Sequence, residues 1–315
     1  MLVAKQAVAA SNHTDEYSGY LTLLASNANS LVSVVRSAYG NGGANQFAQA
    51  WGIQNAYLVD YTIGVVTHND TKSNGAMSGL VNGFAPQFGH LLTSLAQLPA
   101  DSVTQLEAAQ LADFKATIDD DTAQSYAKLY ADVRTTYVHS ALIGDMLALR
   151  MVQQFPDKFP GDPSVNAVEA RVSLNELLQE HSYLTTMMSD AGIAGRSDEA
   201  SNALSAVAGA RTDIAPVIGF LLGPDARTGF PGVWGIRDSN MFAYANASDS
   251  AAKDKLTGAF VTQFSALTQV PAAAIRDQVI ATLKAIDDQR AKAYKNVAAD
   301  DRAAAAGMQA IADQI

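Results

Sequence analysis

The chain has 315 residues, a formal net charge of −10 at pH 7 and no cysteine. Without cysteine there can be no disulfide, thiolate metal site or cysteine nucleophile. An acidic chain also lacks the clustered Lys and Arg that bind nucleic acids and anionic membranes. Its length suggests two domains, and no stretch approaches the roughly 18 consecutive apolar residues of a transmembrane helix. We therefore predict no nucleic-acid partner and no transmembrane segment.

Apolar residues recur at helical spacing through the first half of the chain. Leu21, Leu24 and Leu31 share one face of a predicted helix, since residues three, four or seven apart lie on one side. No segment alternates as a strand would. Clusters of breaking or capping residues separate the helices, and the Asp clusters among them are predicted N-caps, whose carboxylates accept free amides of the first turn. These clusters are Gly40–Gly43, His68–Asp70, Leu98–Pro99 and Asp119–Asp121, with Asp287–Asp288 repeating the last in the second half.

A stripe of tyrosines follows in the segment 121–152. Tyr126, Tyr130 and Tyr137 fall on one helix face together with apolar residues. Such a stripe usually packs in a core, and that is our preferred interpretation. The alternative is that the tyrosines line a ligand pocket.

The middle of the chain is rich in proline. Three of the nine prolines, Pro156, Pro160 and Pro163, lie within eight residues, and proline disfavours helix both at its own position and at the residue before it. We predict a first domain over 1–155, a linker over 156–163 and a second domain over 164–315.

The second half repeats the first. Phe47 and Trp51, followed by Gly-Ile, recur in the same order as Phe230 and Trp234, which accounts for both tryptophans of the chain. Further matches follow along the chain, and the offset between them falls in steps at probable loops, as a tandem duplication with loop deletions would produce. The predicted fold class is all-α, a tandem duplication of an up-and-down helical bundle domain.

The repeat places the start of the chain inside a helix. A long helix is predicted from about Asn166 to Ala191, and its later part, Leu184–Ala194, aligns with Met1–Ser11. The first helix of the first domain is therefore truncated and has no counterpart of His181. We expect the native chain to extend upstream through that helix and a signal peptide, or else a neighbouring subunit to cover the gap.

The chemically capable residues form no recognisable motif. None of the five histidines has a partner at metal-binding spacing, no Gly-x-Ser-x-Gly or phosphate-binding loop occurs, and the methionines are better explained as core fillers than as copper ligands. We predict no catalytic residues and no metal site, and the structural role is favoured for every histidine. The weak candidates for cofactor binding are His181, His139, Tyr126, Tyr130 and Tyr137.

One pattern resembles a known family. Tyr39-Gly40, then Phe47 and Trp51, then Tyr57, Asp60 and Tyr61, resembles uncharacterised bacterial exported tandem helical-repeat proteins. Some of these are labelled copper amine oxidase-like because of a separate attached domain, so the resemblance implies no amine oxidase activity. The family often has a histidine three residues after the tryptophan. Here Gln54 and Arg237 stand at those positions, which weakens any inheritance of copper or haem.

These observations favour a non-enzymatic, exported helical scaffold or assembly protein located outside the cell or in the cell envelope. Its expected partner is protein, either a second copy or another envelope component. The alternative is a helical bundle that binds a small ligand or a metal, with copper or haem as the cofactor. The scaffold interpretation is supported by a duplicated fold, by the lack of a catalytic motif and by an incomplete first helix that invites a partner.

Overall fold

The computed structural model describes residues 1–247 and 249–315. All regular structure in these two ranges is helical, which confirms the predicted all-α class. The chain divides into two compact units, Met1–Ser164 and Val165–Ile315. Each unit has its own core and is described by itself.

The first unit is a helical bundle. Its helices are α1 (Leu2–Ser11), α2 (Glu16–Val66), α3 (Asp70–Ser78), α4 (Ala85–Ala96), α5 (Ala100–Thr122) and α6 (Tyr126–Gln154). Helices that follow one another in sequence pack together. A π-helical segment, Gly79–Phe84, joins α3 to α4, and Gly40, with φ 71° and ψ −172°, kinks α2. The predicted break over Gly40–Gly43 is thus confined to one residue.

The second unit is also a helical bundle. Its helices are α7 (Asn166–Ile193), α8 (Ser197–Leu222), α9 (Pro224–Ala247), α10 (Ser250–Lys255), α11 (Val261–Thr268), α12 (Ala272–Arg290) and α13 (Tyr294–Ala312). The bundle is built around α7, which packs against α8, α9, α12 and α13 and covers the whole of the predicted helix over 166–191. A π-helical segment, Leu256–Phe260, precedes α11.

Local side chains explain where several helices begin. Asn69 accepts a hydrogen bond from the backbone amide of Lys72 at 3.0 Å, and Asp249 accepts one from Ala251 at 2.9 Å, so both cap the helices that follow them. Pro99 and Pro271 immediately precede α5 and α12, where a missing amide hydrogen costs nothing.

The prediction that the Asp clusters are N-caps is wrong. Asp119–Asp121 and Asp287–Asp288 lie inside the last turns of α5 and α12. The reason is tertiary: the Tyr61 hydroxyl donates to Asp119 Oδ1 and the Tyr244 hydroxyl to Asp287 Oδ1, each at 2.7 Å. These carboxylates tie α5 to α2 and α12 to α9.

Aromatic rings form the centre of each core. In the first unit Phe47 stacks on Trp51 with ring centroids 5.3 Å apart, and Phe88 lies 5.9 Å from Trp51. In the second unit Trp234 contacts Phe264 edge-on at 4.8 Å. Such pairs stabilise a core beyond the area they bury. Packing therefore accounts for both tryptophan rings.

One helix in the described ranges, α8, is long and apolar enough to cross a membrane. A third of its most apolar 18-residue window is buried in the second unit. Core helices of soluble proteins pass the same test of length and composition, so this observation is weak evidence for a membrane span.

Candidate functional site

Four polar or aromatic side chains meet in the core of the second unit. His181 lies on α7, and Trp234, Arg237 and Asp238 lie on α9. The last three are spaced three and four residues apart, so they share one helix face. None is more than 3% exposed. Arg211 reaches this group, which we call the His181 cluster, from α8.

His181 is surrounded by competing partners. The indole N–H of Trp234 donates to its Nε2 at 2.9 Å, while Asp238 Oδ1 lies 2.9 Å from the same nitrogen. Its Nδ1 faces Arg237 Nη1 at 3.3 Å and Thr185 Oγ1 at 3.4 Å. A neutral imidazole carries one N–H. With the proton on Nδ1, Nε2 can accept from Trp234; with the proton on Nε2, the ring can donate to Asp238 instead.

Burial sets the charge state of the cluster. It lowers the pKa of His181, against the opposing effect of the nearby Asp238 carboxylate, and the Arg237 and Arg211 charges lower that pKa further. His181 is therefore neutral at pH 7. Burial also lowers the pKa of Arg237 to about 10, which leaves its guanidinium charged at neutral pH.

The guanidinium of Arg237 is incompletely paired. Its Nη1 lies 3.9 Å from Asp238 Oδ1, but Nε and Nη2 have no hydrogen-bond partner among the residues that the structure describes. Asp238 instead forms its short ion pair with Arg211, at 2.7 Å from Nη1 to Oδ2. The cluster thus holds two guanidinium groups and one carboxylate.

The remaining candidate residues lie on α6 of the first unit. His139 Nδ1 is 2.5 Å from Asp113 Oδ2, and both side chains are partly exposed. Tyr130 is buried, whereas Tyr126 and Tyr137 are half-buried. The five candidates are thus divided between the two units, four on α6 and His181 on α7.

Tyr126 does line a polar cavity of about 220 Å³ at one end of the first unit. The ends of α1, α2 and α5 meet there, and each is followed closely by a non-glycine residue with left-handed backbone, at φ 54° to 55°. Helix C-termini carry partial negative charge, which favours a cationic occupant. The cavity is lined by Ser11, Asn12, His13, Val66, His68, Asp121, Thr122, Gln124 and Tyr126.

A buried carboxyl group in the first unit was missed by the sequence analysis. Glu107 on α5 is fully buried and accepts from Gln54 Nε2 at 2.7 Å. Burial raises the pKa of Glu107 to about 8. One signal was available: Glu107 lies midway between Val103 and Leu111 at four-residue spacing, on the apolar face of its helix.

The surroundings of His181 do not suit copper or haem iron as a ligand partner. Both ring nitrogens of His181 already face partners, and two guanidinium groups beside it oppose the approach of a cation. The described residues contain no group of three His, Asp or Glu side chains placed to hold a metal ion.

The chain was also compared with known proteins. None of the protein-family models, curated proteins or solved structures that were compared with it matches. The function must therefore be inferred from the residues themselves.

Proposed function

We propose that this protein is a non-enzymatic helical scaffold that assembles through α6 of its first unit. The observation that carries the proposal is an exposed aliphatic stripe. Val138, Leu142 and Leu149 are 58%, 42% and 38% exposed, and spacings of four and seven residues place them on one face of α6. A line of exposed aliphatic side chains is typical of an interaction surface.

The packing around α6 explains why this face is open. In the second unit α13 packs against both α12 and α7. In the first unit α6 packs chiefly against α5. The face of α6 that carries the stripe is therefore available to a helix from another molecule.

We take the occupant to be α6 of a second copy. Two identical stripes can face each other across a two-fold axis, which is the commonest symmetry of soluble oligomers. Light scattering coupled to size-exclusion chromatography tests this. The proposal expects a mass of twice 33.1 kDa at high concentration; a mass of one chain at every concentration would refute it.

The proposal includes a tandem duplication of the bundle. Equivalent contacts support it: Tyr61 bonds Asp119 as Tyr244 bonds Asp287, both at 2.7 Å. Thr93 Oγ1 donates to the carbonyl of Leu98, and Ser265 Oγ to that of Val270, again at 2.7 Å in each case. Two copies of one domain would give the scaffold two similar building blocks.

The proposed location is the cell exterior or envelope, with a second copy or another envelope protein as partner. The support is compositional, namely a cysteine-free acidic chain with few lysines. Fractionation of the native source into cytoplasm, envelope and medium would test the location. Recovery in the cytoplasm alone would refute it.

A second candidate function, binding of a small ligand, is favoured by the cavity that Tyr126 lines. Because three helix C-termini meet there, we choose a small organic ammonium ion, choline, as the probe. Titration calorimetry should give saturable heat that the double substitution His13→Ala and His68→Ala weakens. Absence of heat with the unaltered protein would count against this function.

A further inference from the structure

The guanidinium of Arg237 has an unpaired edge, formed by Nε and Nη2, to which no described residue offers a hydrogen-bond acceptor. Nε and Nη2 are the two nitrogens that together form parallel hydrogen bonds to a carboxylate or similar oxyanion. Both lack a partner in the described part of the chain, although the residue is 0% exposed. Buried donors without acceptors are strongly unfavourable, so this edge requires an acceptor.

The charges around Arg237 indicate that the acceptor is an anion. Asp238 is the carboxylate of the cluster: its Oδ2 pairs with Arg211 at 2.7 Å, while its Oδ1 lies 2.9 Å from His181 Nε2 without a hydrogen-bond donor in the described part of the chain. Its distance to Arg237 is longer, at 3.9 Å. With His181 neutral, two guanidinium groups and one carboxylate leave an excess of one positive charge. A monoanion would balance it.

The Trp234 ring lies against the Arg237 guanidinium and helps to position it. The Arg237 guanidinium carbon lies 5.3 Å from the centroid of the Trp234 ring, within cation–π range. Trp234 is fixed in turn by its hydrogen bond to His181. The donor pair is therefore oriented before any ligand arrives, which lowers the entropic cost of binding.

We propose that Arg237 binds a small planar oxyanion, a monocarboxylate of formate size or an inorganic equivalent, through its Nε and Nη2. Arg211 links the cluster to the surface of the second unit, since its side chain is 25% exposed while it contacts the buried Asp238. This site is independent of the proposed assembly through α6, which lies in the other unit.

The test uses the full-length chain with sodium formate and sodium nitrate as probes and sodium chloride as the control at equal ionic strength. Thermal melting and titration calorimetry measure binding. A ligand that binds the native state raises the melting temperature in a saturable way. We expect such a rise with formate or nitrate beyond that with chloride. Equal effects of all three salts would overturn the proposal.

Variants test whether the response to the anion depends on the paired donors of Arg237. Arg237→Met keeps the length of the side chain without its donors and should abolish the response, whereas Arg276→Met, at an exposed position on α12, should leave it unchanged. Arg237→Lys keeps the charge but loses the paired donors, so affinity should fall about tenfold or more. A response that survives in Arg237→Met, with Arg237→Lys binding as the unaltered protein does, would refute the assignment.

A crystal structure grown with nitrate gives a readout that does not depend on how stable the variants are. The expected result is a planar ion with two oxygens facing Nε and Nη2 of Arg237. Water molecules alone at these nitrogens would show that solvent satisfies them, and the proposal would be wrong.

Discussion

At the scale of single residues, burial of ionisable groups produces the most distinctive chemistry. Glu107 has one hydrogen-bond donor facing it, Gln54, and its pKa is raised to about 8 by burial. In the unfolded chain the same group has a pKa of 4.5. Folding therefore takes up a proton between these two values.

The sign of the resulting pH dependence follows from linkage. The contribution of Glu107 to stability is complete below pH 4.5 and is lost as the pH rises towards 8, with a slope of at most about 1.4 kcal/mol per pH unit. Glu107→Gln removes the titration. The melting temperatures of the unaltered protein and of Glu107→Gln, measured at pH 5, 6.5 and 8, should therefore converge or cross as the pH increases. A constant difference across this range would show that Glu107 is ionised in the folded protein.

Single-residue chemistry was the hardest level to predict from the sequence. His181 could be named as a candidate, but its contacts with Trp234 and Arg237 join residues more than 50 positions apart. Local pattern gives no information about such pairs. In the sequence Arg237 is distinguished only because the family that the chain resembles often has a histidine at this position. The unpaired nitrogens of Arg237 depend on the packing of α7, α8 and α9.

At the scale of helices, two glycines allow the chain to change direction. Gly40 has φ 71° and ψ −172°, and Gly223 has φ 98° and ψ 175°, a region that essentially only glycine occupies. We expect Gly40→Ala and Gly223→Ala each to lower the free energy of unfolding by about 1–3 kcal/mol. Gly52, which is helical and has open space around it, is the control: Gly52→Ala should be neutral or stabilising by up to about 1 kcal/mol. Equal effects at all three positions would contradict this explanation.

The tyrosine–aspartate bonds make a second prediction about helices. Tyr61→Phe and Tyr244→Phe each remove one hydroxyl that donates to a carboxylate at 2.7 Å. Each should reduce the free energy of unfolding by about 1.5–3 kcal/mol, the range for hydrogen bonds to charged groups. Calorimetric unfolding of the two variants measures the loss. A substantial loss in one variant and none in the other would argue against equivalent roles in the two units.

The helices themselves were largely predictable, because caps, breakers and apolar spacing act locally. Pro99 and Asn69 mark helix starts as expected, and Pro271 marks one in the second unit. The Asp clusters were mistaken for caps because a carboxylate at a helix start and one recruited by a distant tyrosine look alike in sequence. Only the packing of α2 on α5, and of α9 on α12, distinguishes them.

At the scale of the whole molecule, exposed surface determines what the chain can bind. Val138 and Leu142 lie outside the tyrosine stripe expected to face the core, and the structure leaves both open to solvent. The sequence could not reveal this, because exposure depends on which helices pack beside α6. Assembly through this face remains our proposal.

Sedimentation equilibrium tests the assembly claim most directly. The double substitution Val138→Lys and Leu142→Lys places two charges on the stripe, whereas Ile280→Lys changes a similarly exposed residue, 50% accessible, on α12. The account predicts dimers for the unaltered protein and for Ile280→Lys, and single chains of 33.1 kDa for the double variant. The account would be contradicted if the double variant dimerised with the same dissociation constant as the unaltered protein, or if all three proteins were single chains.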